Sequence, residues 1–219
     1  MPSHQVDTAR TRVKRNPALT RSRIMAAARA EFCERGFFAA RVDEIAAGAN
    51  INKRMLYHYF GAKQDLYRAV LLEAYTEIRS GEKSLNLANA EPKDGMEELV
   101  RFTFRHFITH PWFVRLLIHE NINEARTLRE LKEIREMHSP LVAQIRELLR
   151  RGEKSGVFRA GIDPIELYIT IASLGFFYLS NVHTLSTIFG ENLSRRTRMK
   201  RREDHMAEVV MRYVVKSPS

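Results

Sequence analysis

The chain has 219 residues, 44% of them hydrophobic, which bounds it to one large or two small globular domains with a real core and excludes a disordered protein. Lys and Arg total 36 against 26 Asp and Glu, and the excess is local: residues 1–63 hold 12 basic and 5 acidic side chains, whereas the rest holds 24 and 21. A single cysteine, Cys33, excludes an internal disulfide, and no window reaches the roughly 18–20 apolar residues of a membrane span, so a reducing, cytoplasmic setting is expected.

Residues 1–19, MPSHQVDTARTRVKRNPAL, lack hydrophobic periodicity and carry Arg10, Arg12, Lys14 and Arg15. They are expected to form a flexible basic arm, which either adds phosphate or minor-groove contacts or is simply solvated. From Thr20 the spacing of Ile24, Ala28 and Phe32 predicts a helix over 20–35 with Gly36 as its stop. Phe37 and Phe38 fill the connection, and Val42, Ile45, Ala46 and Ala49 mark a short second helix ending near Gly48. Asn50 tolerates the left-handed backbone of a tight turn, and Asn52 caps a third helix that Gly61 breaks.

That third helix places Lys53, Arg54, Tyr57 and His58 on one side and Leu56, Tyr59 and Phe60 on the other. One side is a core face. The other is a set of donors suited to a polyanion with hydrogen-bonding edges, which points to double-stranded DNA. A short helix, a tight turn and a second short helix form a helix-turn-helix pattern. A fourth helix starts at Lys63 and runs through Leu66, Val70, Leu71 and Tyr75 to about Ser80.

Residues 81–92 are polar and irregular, a hinge candidate. Asp94 with Glu97 has capping-box spacing ahead of Leu99, Phe102, Phe104 and Phe107, and His110-Pro111 restarts the chain into Trp112, Leu116 and Leu117. Ser139-Pro140 opens a helix to about Gly152, Asp163-Pro164 a long apolar helix to Gly190, and Ser194 a last one ending at Val215. No strand signal occurs. The expected fold class is all-α, with the arm at 1–19, a three-helix helix-turn-helix DNA-binding domain at 20–66 and a larger helical domain at 67–219.

Residues 20–72 resemble the DNA-binding domain of TetR-family transcriptional regulators: Ile24, Ala28, Phe32 and Gly36, then Val42, Ile45 and Ala46, then Leu56-Tyr57-His58-Tyr59-Phe60, Lys63 and Leu66 match its pattern. The resemblance implies that the third helix enters the major groove, with Lys53, Arg54 and Met55 at base edges and nearby phosphates. It puts Tyr57, His58 and Tyr59 on the backbone and Lys63 on a phosphate. Arg41 stands where the family usually has Ser or Thr; it removes a side-chain cap and adds a cation toward DNA. Asn50 replaces the usual turn glycine. Arg54 occupies a place often held by glycine, and either reads a guanine or contacts a phosphate. The segment 110–130 is similar to the family branch that contains pyrimidine-catabolism regulators, which assigns no ligand.

The resemblance also implies a small-molecule effector and a homodimer, with 67–219 as the effector-binding and dimerisation domain. Phe102, Phe107, Trp112, Leu116, Glu120, Asn123, Phe177 and Asn181 are candidates to line the effector pocket, against the alternative that most are core or dimer face. For the dimer, the last two predicted helices offer stripes: Leu167, Ile171, Leu174, Tyr178 and Leu185 on one, Met206, Val209, Val210, Tyr213 and Val214 on the other.

Nothing in the sequence supports catalysis, and no cofactor or metal is expected. His106 and His110 have metal-ligand spacing without a third ligand nearby, and His119-Glu120 begins like a zinc-protease motif but position 123 is Asn. Cys33 beside Phe32 reads as a packing residue. The function expected is a ligand-responsive, dimeric repressor of a palindromic operator. The competing readings are a small-molecule-binding or enzymatic protein whose helix-turn-helix no longer binds specifically, and a non-specific nucleoid protein.

Overall fold

Prolines, side-chain caps and glycines set most of the helix boundaries in the computed structural model, which describes residues 16–216. Among the described residues there are eleven helices: α1 (Pro17–Ala39), α2 (Val42–Gly48), α3 (Lys53–Phe60), α4 (Lys63–Ser84), α5 (Pro92–Thr109), α6 (Pro111–Ile122), α7 (Arg126–Glu130), α8 (Lys132–Lys154), α9 (Pro164–Ser180), α10 (Val182–Phe189) and α11 (Arg196–Val214). Pro17, Pro92, Pro111 and Pro164 each sit at a helix start, where the missing N–H has no intrahelical partner to lose. Asn16, Asn52 and Asp163 accept first-turn N–H groups through their side chains. The all-α class holds: among the described residues the only extended pairing is an isolated antiparallel bridge between Phe158 and Val215.

Several boundaries differ from the sequence reading. The basic arm lies outside the described residues up to position 15; its last residues, Pro17 to Leu19, belong to the first turn of α1. That helix also passes the expected stop, because Gly36 adopts φ 69° inside it and lets the chain kink on to Ala39. The hinge candidate is fastened instead. Helix α4 extends to Ser84, Leu87 is fully buried, and Arg151 donates to the carbonyls of Leu87 and Ala90 at 2.5 and 2.7 Å. Asp94 does not cap α5, which begins at Pro92.

Pro140 lies inside α8 rather than at a helix start. The interior proline costs about 3 kcal/mol, and burial of Ile134, Leu141, Ile145 and Leu148 on the inward face offsets it. The long apolar helix is broken at Asn181, whose side chain donates to the Phe177 carbonyl at 2.9 Å, and α9 and α10 bend by 66°. Among the described residues no single helix is long and apolar enough to cross a membrane, and only this bent pair passes by length and composition.

Two apolar clusters hold the chain together. One runs from Ile24, Phe32 and Leu56 in the first three helices through Leu66, Tyr67 and Ile78 of α4 to Phe107 and Leu116. The three-helix head is therefore continuous with the body, and the expected division at 66/67 falls within the unbroken α4. The second cluster packs α5 against α8, α9 and α11. It consumes much of the expected dimer stripe: Leu167, Ile171, Met206, Val210 and Val214 are buried within the chain. The exposed apolar residues are Ile165, Ile169 and Phe177 on α9, Ile188 and Phe189 on α10, and Val209 and Tyr213 on α11. Periodicity marked the apolar positions and not which neighbour covers them.

Candidate nucleic-acid interface and the body behind it

The turn between α2 and α3 is built as its residues dictate. Asn50 takes φ 51°, and the Asn52 carboxamide accepts the Met55 N–H at 2.8 Å. The Arg23 guanidinium, from α1, donates to the carbonyls of Ala49 and Asn50 and straps the turn to the first helix. Leu56 is fully buried and Tyr59 and Phe60 pack half-buried on the core, so Lys53, Arg54, Tyr57 and His58 are left exposed on the outer face of α3. The division of this helix follows the spacing of its apolar residues.

The cations on this face are not equivalent. Lys53 lies 3.1 Å from Asp43 of α2, and Arg41 lies 3.8 Å from Glu44. Arg41 supplies no side-chain cap; its own N–H is accepted by Glu31 of α1 at 2.9 Å. Arg54 is exposed and has neither an ion pair nor a side-chain hydrogen bond among the described residues, so none of them takes up its donors. Lys63 turns back: its ammonium donates to the Phe38 carbonyl at 3.2 Å and sits 5.0 Å from the Phe37 ring centre. Burial lowers its pKa, with Glu31 opposing. Met55, His58 and Tyr59 line an open cleft with Thr20, Arg23 and Asn52.

The expected effector residues do not converge. Phe107 and Leu116 are core, Phe102 and Trp112 pack half-buried on it, and Phe177 is 59% exposed. Glu120 is buried and accepts from the Tyr67 hydroxyl and the Leu128 N–H, while Asn123 and Asn181 bond helix-end carbonyls. Among the cavities described, none is lined by more than two of the eight.

A different group sits in the body. Arg79 and Glu82 of α4 are both buried and 2.8 Å apart, and Arg79 also donates to the Tyr168 hydroxyl at 2.9 Å. Nearby His106 is buried and stacks on His110 at 4.2 Å, while His110 lies 2.8 Å from Glu77. Burial pushes the Glu82 carboxyl up to about 7, against the pull of Arg79, and lowers His106 to about 4. The sequence carries one signal for the pair: the inward stripe Leu71, Ala74, Tyr75, Ile78 continues into Arg79 and Glu82 rather than ending. Among the described residues no group of three or more His, Cys, Asp or Glu is placed to hold a metal.

Residues 24–70 match the family model described as bacterial regulatory proteins of the tetR family, and residues 92–210 match the tetracyclin repressor-like C-terminal domain. The chain belongs to the TetR family. It is 35% identical over 190 residues to the HTH-type transcriptional repressor NicS of Pseudomonas putida, covering 86% of this chain and 90% of that one. Over 163 residues it is 31% identical to the HTH-type transcriptional repressor SCO4008 of Streptomyces coelicolor, covering 73% and 78%. Its fold is that of the ketosteroid transcriptional regulator KstR2 of Mycobacterium tuberculosis, at TM-score 0.69 and 20% identity over 90% and 95% of the two chains. This TetR-family protein is thus a DNA-binding transcriptional regulator and not an enzyme. The α1–α3 head is its DNA-binding unit, and α6 lies across α1 behind it, through Cys33 to the Trp112 carbonyl at 3.3 Å and Glu34 to Arg115 at 3.2 Å.

Proposed function

We propose that the protein is a ligand-responsive repressor that binds a palindromic operator as a homodimer, in the cytoplasm. The observation that carries the reading is the outer face of α3, where Arg54, without an ion-pair partner among the described residues, stands exposed beside Lys53, Tyr57 and His58 on a helix fixed by Asn52 and Leu56. Arg54 and Lys53 are assigned to base edges and adjacent phosphates, with Arg41, Met55, Tyr57, His58 and Tyr59 around them; Lys63 reaches a phosphate with the donors it does not give to Phe38. Repression is supported by the likeness to NicS and SCO4008, both HTH-type transcriptional repressors.

One recognition helix contacts too few bases to select a site in a genome, so two heads on a twofold axis are required, at half-sites one or more helical turns apart. The exposed apolar faces of α9, α10 and α11 are assigned to that dimer. The reading needs no cofactor. An effector in the body acts by binding one head separation more tightly than the other, and α4, which begins at Lys63 and ends beside the body, carries the difference.

Selection of bound sequences from random duplex DNA tests this. Enrichment of a twofold-symmetric site is the expected result. Binding without enrichment, with affinity set by salt alone, would point instead to a nucleoid-type protein or a head that no longer reads sequence.

A further inference from the structure

Between α4 and α8 lies a cavity of about 300 Å³ with apolar walls from Met137, Pro140 and Leu141. Its polar lining includes Thr76, Ser80 and Gln144, and Arg79 and Glu82 form its buried end. Arg79 Nη1 closes on Glu82 Oε2 at 2.8 Å and Nη2 donates to the Tyr168 hydroxyl, whereas Arg79 Nε has no acceptor among the described residues. The guanidinium therefore keeps a buried donor for an arriving acceptor. We propose that this cavity binds a small carboxylate with a compact apolar body, held by Arg79. The proposal rests on the reading of the protein as effector-responsive and names its effector class.

Charge selects an anion over an amine. The ionisable groups lining the cavity are Arg79, Lys83 and Glu82, two cations against one acid. Burial already favours the neutral form of that acid, so Glu82 accepts a proton from solvent when a carboxylate takes over Arg79, and then presents a donor instead of a repelling charge. Size and wall composition select the rest of the ligand: the volume is at the low end for small-molecule sites, and its walls are aliphatic. Pro140 cannot donate to the Glu136 carbonyl one turn back and the adjoining wall is the flexible thioether of Met137, so the α8 side of the cavity is its adaptable side.

Isothermal calorimetry on the full-length protein tests the proposal, with benzoate and hexanoate each set against its uncharged amide, and with benzylamine. At least one carboxylate is expected to bind saturably, about tenfold or more tighter than its amide, with benzylamine not bound. Glu82→Gln, which removes the competing carboxylate, is expected to tighten carboxylate binding; Arg79→Gln is expected to abolish it. Should Arg79→Gln not fold, the comparison of carboxylate with amide on the unmodified protein decides alone. Amide binding equal to carboxylate, preference for benzylamine, loss of binding in Glu82→Gln, or no saturable binding up to about 10 mM would each overturn the assignment. The DNA selection is separate: a selected operator without carboxylate binding removes only the ligand class, and carboxylate binding without an operator removes only the regulator reading.

Discussion

Tyr67 of α4 donates its hydroxyl to Glu120 of α6 over 2.9 Å, inside the core shared by the DNA-binding head and the body. The phenol is wedged against Phe32 and Phe37 of α1, at ring-centre distances of 4.8 and 5.1 Å, and the other Glu120 oxygen accepts the Leu128 N–H at 3.2 Å. One carboxylate therefore ties α4, α6 and α7 together, against the ring contacts that Tyr67 makes with α1. Burial and the adjacent Glu120 both raise the Tyr67 pKa, so the hydroxyl keeps its proton and remains the donor.

Tyr67→Phe keeps the ring and strips Glu120 of that donor. The expected loss is about 1–3 kcal/mol in urea unfolding, the cost of an unsatisfied buried acceptor. Tyr67→Phe combined with Glu120→Leu is expected to recover part of it, because no polar group is then stranded. A single variant as stable as the parent would show that the bond carries no weight.

Arg54 and Lys53 separate reading from positioning on the outer face of α3. If Arg54 reads a guanine, Arg54→Ala loses about 1–3 kcal/mol of discrimination at one base pair of the operator; if it holds phosphate, affinity falls equally on all sites. Mobility shifts on singly substituted operators distinguish the two. Asp43→Asn releases Lys53 from its 3.1 Å partner, so affinity is expected to rise on every duplex and the salt dependence to steepen by about one ion.

Local chemistry explains why the head was readable from the sequence and the body was not. Asn50, Asn52 and Gly61 each impose a backbone state within a few residues, and the boundaries of α2 and α3 follow from them. Pro140 sent the same reasoning the wrong way, because the inward face of α8 outweighs one proline. Leu167 and Ile171 show the second limit: an apolar stripe needs a cover, and the chain itself supplies it through α5, with Ile165 and Ile169 left exposed. Arg79 and Glu82 show the third, since a charged pair three residues apart reads as a solvated face until both are found buried.

His106 and Glu82 give the body two opposed responses to pH. Burial, then His110 and Arg79, lower His106 from 6.5 to about 4, so the unfolded chain binds the extra proton between those values and stability is lost as pH falls through them. Burial raises Glu82 from 4.5 to about 7, so its contribution runs the other way and is lost as pH rises. Relative to the parent, His106→Phe is expected to lose stability from pH 4.5 to 6.5 and Glu82→Gln to gain it, each by up to about 1.4 kcal/mol per pH unit. Urea unfolding at the two pH values measures both, and slopes of the same sign would count against the opposition.

Phe177 and Ile171 test which side of α9 faces a second chain. Phe177 is 59% exposed and Ile171 fully buried, six residues apart on the same helix. A charge at position 177, at the edge of an open cleft, is largely solvated in the free chain, so Phe177→Glu is expected to leave each subunit folded, with an unchanged helical circular dichroism spectrum. In a dimer closed by α9, α10 and α11 the same carboxylate faces its own copy across the twofold axis without a partner. Sedimentation is then expected to show monomers, and operator affinity to fall because two heads no longer bind as one. Ile171→Glu places its charge in the intrachain core beside Leu167 and Met206 and is expected to unfold the body whether or not a partner is present. A Phe177→Glu protein that still sediments as a dimer and still binds the operator would move the interface off this face of α9.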